Sequence, residues 1–115
     1  MCGITGAYFF REISAAWREA LPRSVAALQH RGPDDEGAEV FQQEDLTVGL
    51  GQSRLSIIDL SEGGHQPMHF KHLSCIFNGE VYNPAKLRLE IDAAGWSFGW
   101  RGHSDTETLL AALQI

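Results

Sequence analysis

Two polar breaks rich in glycine and proline, residues 31–37 (RGPDDEG) and 61–67 (SEGGHQP), leave little room for long helices in the middle of this chain. Pro33 disfavours a helix running through residue 32, and the run ending at Pro67 reads as loop by composition. Around them lie short apolar runs, predicted as strands over 38–41, 46–51, 54–58 and 74–78, with another at 4–10. Residues 14–28 have helical character interrupted by Pro22. That proline is placed at the first turn of a second helix, which carries Val25 and Leu28 inward and ends before Gly32. Asn83-Pro84 opens a helix that runs to Ala94 and stops at Gly95. Trp96, Phe98 and Trp100 alternate on one face of a last strand, 96–100. Ser104 and Glu107 form a capping box for a helix bearing Leu109, Leu110 and Leu113, which reaches Ile115 with no C-cap. Strands in the middle and helices at intervals, without βαβ alternation, predict an α+β fold. The apolar helix running out at Ile115 reads as a domain cut short.

The composition excludes several classes of function. A net charge of −6 without a basic run argues against a surface for nucleic acid or anionic lipid. No apolar stretch approaches the roughly 20 residues that span a bilayer. The first ten residues lack the basic start of a secretion signal, and Arg11 and Glu12 soon interrupt the apolar run. Two cysteines, Cys2 and Cys75, are too few for a disulfide framework and read as free thiols in a reducing cytoplasm.

Cys2 is the first candidate for chemistry. Its small side chain favours removal of Met1, leaving an N-terminal cysteine that carries both a nucleophile and a base. An α-amino group, with an ordinary pKa of about 8, is partly neutral near pH 7 and can take the thiol proton directly or through one water. Taken alone, Cys2 reads rather as an inert, buried cysteine at the start of a strand.

The rest of the chain adds context. Cys2-Gly3-Ile4, then HRGPDD at 30–35, RLSIID at 54–59, GHQPM at 64–68, FNGEVYN at 77–83 and SDTE at 104–107 follow one another in order. Together they resemble the glutaminase domain of glutamine-hydrolysing asparagine synthetases, a class II glutamine amidotransferase domain, over residues 1–115. The resemblance implies an N-terminal-nucleophile hydrolase fold, a four-layer αββα sandwich left incomplete here at its C-terminus. It implies that Cys2 attacks the side-chain amide of glutamine, that a thioester forms, and that ammonia passes to a synthetase domain absent from this segment. Glutamine hydrolysis needs no cofactor on this reading. ATP and magnesium belong to the absent domain, which amidates a carboxylate, aspartate first. A homodimer is left open as its assembly.

The matched residues then take roles. Asn78 offers its side-chain NH₂ and Gly79 its backbone N–H to the oxyanion, although Asn-Gly is also a strong hairpin-turn signal. Arg54 matches the position that takes the α-carboxylate as a bidentate pair, with backbone groups of Leu55, Ser56, Ile57 and Ile58 completing that side. Asp105 matches the acceptor for the α-ammonium, assisted by Glu80; it also reads as a first-turn acid favoured by the helix dipole. Arg31 is either a support for the nucleophile's surroundings or a structural loop arginine. Gln52 departs from the histidine often found two residues before the arginine in this family, a change expected to alter local packing only.

His65, His69 and His72 have helical ligand spacing, but Pro67 and the preceding Gly63-Gly64 break any helix there, so no metal site is read from them. Cys75 and the three tryptophans are assigned to packing. The competing reading is a non-catalytic segment or interaction module of the same family, and residues 1–115 alone are expected to be a poor glutaminase.

Overall fold

The computed structural model describes residues 2–10, 14–56 and 61–115. Its strands and helices run β1 (Gly3–Phe9), α1 (Ala15–Ala27), β2 (Asp35–Gln43), β3 (Leu46–Arg54), β4 (Met68–Phe70), β5 (Leu73–Cys75), α2 (Pro84–Ala93) and α3 (Asp105–Ala112), with 3₁₀ turns at Gln29–Arg31 and Glu62–Gly64. The mixture is α+β, as predicted. β1, β3 and β2 form an antiparallel sheet in that order, and β4 and β5 form a separate hairpin.

β3 is the centre of the molecule. Gln43 pairs with Leu46, so Glu44 and Asp45 make a two-residue turn, and Glu44 takes the positive φ of 48° that such turns favour. One face of β3 lies under α1: a Cβ at Gly49 would meet the Trp17 ring, and one at Gly51 would meet Val25. The other face carries Gln52 and Arg54, covered by the 61–66 segment. From Gly51 to Arg54 the strand is buried on both faces although three of its four residues are polar. Their polar groups must therefore find partners inside the protein.

Several boundaries differ from expectation for identifiable reasons. α1 runs unbroken through Pro22. An interior proline costs about 3 kcal/mol. Leu21 and Val25 are nearly fully buried against the sheet, and each such side chain contributes about 1.5–3 kcal/mol, which outweighs it. β2 begins at Asp35, inside the predicted loop, because Gly37 pairs with Gln52. The predicted strand 46–51 runs on to Arg54, Gln52 and Ser53 being buried ladder residues rather than a break, and of the strand predicted over 54–58 the described Leu55 and Ser56 lie outside any strand. Residues 57–60, including Ile57 and Ile58, lie outside the described residues.

The predicted strand 74–78 stops at Cys75 because the main chain of Phe77 bonds to side chains instead of a neighbouring strand. Residues 96–100 are not a strand either. Gly95 and Gly99 take φ of 105° and 74°, and Trp96 gathers Phe70, Phe98 and Trp100 around it at centroid distances of 4.7–5.5 Å. At α2, Pro84 opens the helix as expected, but Asn83 is left-handed and makes no side-chain cap. α3 ends at Ala112 with Leu113 as its C-cap, before Ile115. Of its leucines, Leu110 is buried and Leu113 is exposed.

Candidate active site

The antiparallel register pairs Gly3 with Ser53, so Cys2 sits beside the end of β3. Its Sγ lies 3.4 Å from the Leu55 N–H, which donates to it, and 3.8 Å from the Leu55 carbonyl. Arg54 is 8% exposed, and its Nη1 donates to the Ser61 carbonyl at 3.2 Å. A Cβ at Gly64 would overlap the Arg54 guanidinium, so glycine is what lets the loop close over it. The turn before β2 is tied to the same corner. Asp34 N–H donates to the Arg54 carbonyl at 3.0 Å, its Oδ2 accepts from Ser56 N–H at 2.8 Å, and Ser53 Oγ donates to the Gly32 carbonyl. A solvent-open cleft lies at this corner, lined by Asp34, Asp35, Arg54, Ser56, Ser61, Glu62 and His65.

Asn78, Gly79 and Glu80 form an exposed segment on a separate support. Phe77, just before it, is held by two buried glutamines: its N–H donates to Gln66 Oε1 at 2.6 Å, and its carbonyl accepts from Gln52 Nε2 at 2.9 Å. Gln52 Nε2 also donates to Gln66 Oε1 at 2.7 Å, and Gln66 Nε2 donates to Thr106 Oγ1 at 2.9 Å. Gln52 Oε1 is buried with no hydrogen-bond partner in the structure, a desolvation cost of about 1–3 kcal/mol. Gly79 is not in a left-handed conformation. Glycine is needed there because a Cβ would lie 2.6 Å from the Phe77 ring.

On the far side of the segment, Asp105 Oδ2 accepts from Val81 N–H at 3.1 Å. Asp105 is the first residue of α3, capped by Ser104 Oγ, which accepts from Thr106 N–H at 3.2 Å. The capping box is only half made. Glu107, 3% exposed, accepts instead from the Arg101 and Gly102 N–H groups and pairs with Arg101 and Arg88. It pins the 101–102 turn to α3.

The model for a glutamine amidotransferase domain matches residues 1–115, the full chain. The chain belongs to the glutamine amidotransferase domain family. It is 41% identical over 115 residues to asparagine synthetase [glutamine-hydrolyzing] 1 of Bacillus subtilis, covering 96% of this chain and 17% of that protein. It is 36% identical over 109 residues to the putative asparagine synthetase 2 of Methanocaldococcus jannaschii, covering 80% of this chain and 21% of that protein. It is 40% identical over 95 residues to the amidase chyE of Penicillium rubens, covering 81% of this chain and 13% of that protein. The chain thus spans about a fifth or less of the length of these curated relatives. No solved structure matches it significantly.

Within this amidotransferase domain, Cys2, Arg54, Leu55 and Ser56 meet at one corner, and Asn78, Gly79, Glu80 and Asp105 share one loop and helix end. Arg31 is half-buried in the 3₁₀ turn, and its side chain makes no hydrogen bond or ion pair among the described residues. Ordering of the 31–37 loop falls to Asp34 and Ser53. Sequence reading missed the Gln52–Gln66–Thr106 chain, whose only signal was polar residues inside otherwise apolar or glycine-rich runs.

His65 pairs with Asp35 and His69 with Glu39, each at 2.7 Å, and no group of three or more metal-binding side chains occurs among the described residues. Burial pushes the Cys75 thiol pKa up, in keeping with a packing role. Among the described residues no helix is long and apolar enough to cross a membrane.

Proposed function

We propose that this domain hydrolyses the side-chain amide of free glutamine to glutamate and ammonia, with Cys2 as nucleophile. The observation that carries the reading is the Cys2 thiol held 3.4 Å from the Leu55 N–H, next to buried Arg54. Met1 is removed, and the freed α-amino group takes the thiol proton directly or through one water. The thiolate attacks the amide carbon, and the oxyanion is held by the Asn78 side-chain NH₂ and the Gly79 N–H. The C–N bond breaks as the nitrogen takes the proton, and ammonia leaves. Water then attacks the γ-glutamyl thioester, giving glutamate and restoring the thiol.

Arg54 and the backbone of Leu55, Ser56, Ile57 and Ile58 receive the α-carboxylate. Asp105 receives the α-ammonium with Glu80 assisting, and Arg31 is a structural loop residue, the ordering of the corner falling to Asp34 and Ser53. In the finer reading the fold is a four-layer N-terminal-nucleophile hydrolase in a reducing cytoplasm. The ammonia passes to a synthetase domain that amidates a carboxylate, aspartate first, with ATP and magnesium serving that second step. The names of two of the relatives, glutamine-hydrolysing asparagine synthetases, support aspartate as the acceptor.

In the full-length protein, Cys2→Ala should abolish glutamate release from glutamine while leaving ammonia-dependent synthesis intact. Active protein should also lack Met1 by intact mass. Hydrolysis near the wild-type rate in Cys2→Ala would remove Cys2 as nucleophile, and activity in protein retaining Met1 would remove the self-base.

A further inference from the structure

Gln66 touches both ends of the proposed substrate site without belonging to either. Its Oε1 accepts from the N–H of Phe77, the residue before Asn78, and its Nε2 donates to the Oγ1 of Thr106, the residue after Asp105. Gln66 is 6% exposed and Thr106 1%, so water does not compete for either bond. The amide group of Gln66 is rigid and planar. It therefore acts as a strut between the segment that would hold the amide oxygen of the substrate and the helix end that would hold its α-ammonium. Gln52 braces the first end, donating to both Phe77 O and Gln66 Oε1.

We propose that Gln66 is a positioning residue that sets the distance between the Asn78–Gly79 donors and Asp105, and so fits the site to the length of glutamine. The inference rests on the site reading given above. Asparagine carries the same three groups but is one methylene shorter. In a site of fixed span it can satisfy the oxyanion donors or the ammonium acceptor, but not both. A methylene is worth about 10–200-fold in discrimination when the site cannot adjust.

The test uses the full-length protein with glutamine and asparagine as alternative substrates. Thr106→Val keeps the volume of the side chain but removes the acceptor at the α3 end. It is expected to raise KM for glutamine about tenfold, change kcat less, and lower the kcat/KM preference for glutamine over asparagine about tenfold. Thr106→Ser, which retains the hydroxyl, should restore all three. Gln66→Met frees both ends and should lower kcat as well, because the Phe77 main chain loses its acceptor.

A merely structural hydrogen bond would change the thermal midpoint without changing substrate preference. A folded Thr106→Val protein with wild-type KM and preference overturns the proposal. Should that variant fail to fold, Thr106→Ala removes the same hydroxyl in a smaller side chain. Loss of folding in both overturns it too, since the hydroxyl is then required by the fold and not by the site. If the wild-type protein does not hydrolyse glutamine, or hydrolyses it without Cys2, the functional reading itself fails and the strut falls with it.

Discussion

The two halves of the candidate site are held in different ways. The Cys2–Arg54 corner is built on a main-chain ladder to which side chains add: Gly3 pairs with Ser53 and Asp34 N–H donates to the Arg54 carbonyl, while Cys2 Sγ, Asp34 Oδ2 and Ser53 Oγ bond to neighbouring main chain. The Asn78–Gly79 segment lies in no strand and hangs from the side chains of Gln52, Gln66 and Asp105. A ladder spreads the loss of one contact over many bonds. A segment held by three side chains has little in reserve. Substitutions at the corner should therefore act locally, and those in the loop half should act at a distance.

The largest effect beyond loss of the nucleophile is expected at Asn78. Asn78→Ala should lower kcat by roughly 10²-fold or more with a smaller change in glutamine binding, because the oxyanion exists only after attack begins. Steady-state kinetics that leave kcat unchanged would take Asn78 out of the oxyanion hole.

A middle-sized effect is expected at the corner. Gly64→Ala drives a methyl into the Arg54 guanidinium and should raise KM for glutamine about tenfold, with about 1–3 kcal/mol lost from stability as in other overpacked sites. A raised KM with kcat kept confirms a local effect on Arg54. Lost kcat with KM kept would mean that the corner is coupled to the loop after all.

The smallest effect is expected at Gln52→His, the residue often found at this position in the family. The ring can keep one of the two bonds made by Gln52 Nε2, and the exchange also removes the unpaired buried Oε1. Loss and gain offset, so the unfolding free energy should change by about 1 kcal/mol or less. A larger loss, measured by denaturant titration, would show that both bonds of Gln52 are needed.

The same contrast explains what was legible in the sequence. Cys2 and Arg54 could be named because each stands in a motif of the family resemblance, but their meeting could not be read, since it depends on the pairing of Gly3 with Ser53 and on a strand that ends, rather than begins, at Arg54. Asp105 could be placed because Ser104 marks a helix start. Gln52 and Gln66 carry no such periodic mark, since their role depends on partners 25 and 40 residues away. The strand predicted over 74–78 was cut short for the same cause: Phe77 gives its main chain to those two side chains. Pro22 misled because local propensity was weighed without the sheet that buries Leu21 and Val25.

The strand order also has a consequence in time. β1 precedes both of the other strands of its sheet in the chain, yet among the described residues it pairs with β3 alone, and Gly3 meets Ser53. Synthesis runs at roughly 5–20 residues per second, so the 50 residues between them take about 3–10 s to appear. For that interval β1 is without its partner strand, and Cys2 is not yet held against Leu55. Once β3 arrives, the ladder closes and Cys2 is drawn against Leu55. The topology would thus allow removal of Met1 before assembly, the order that the mechanism proposed for Cys2 would need.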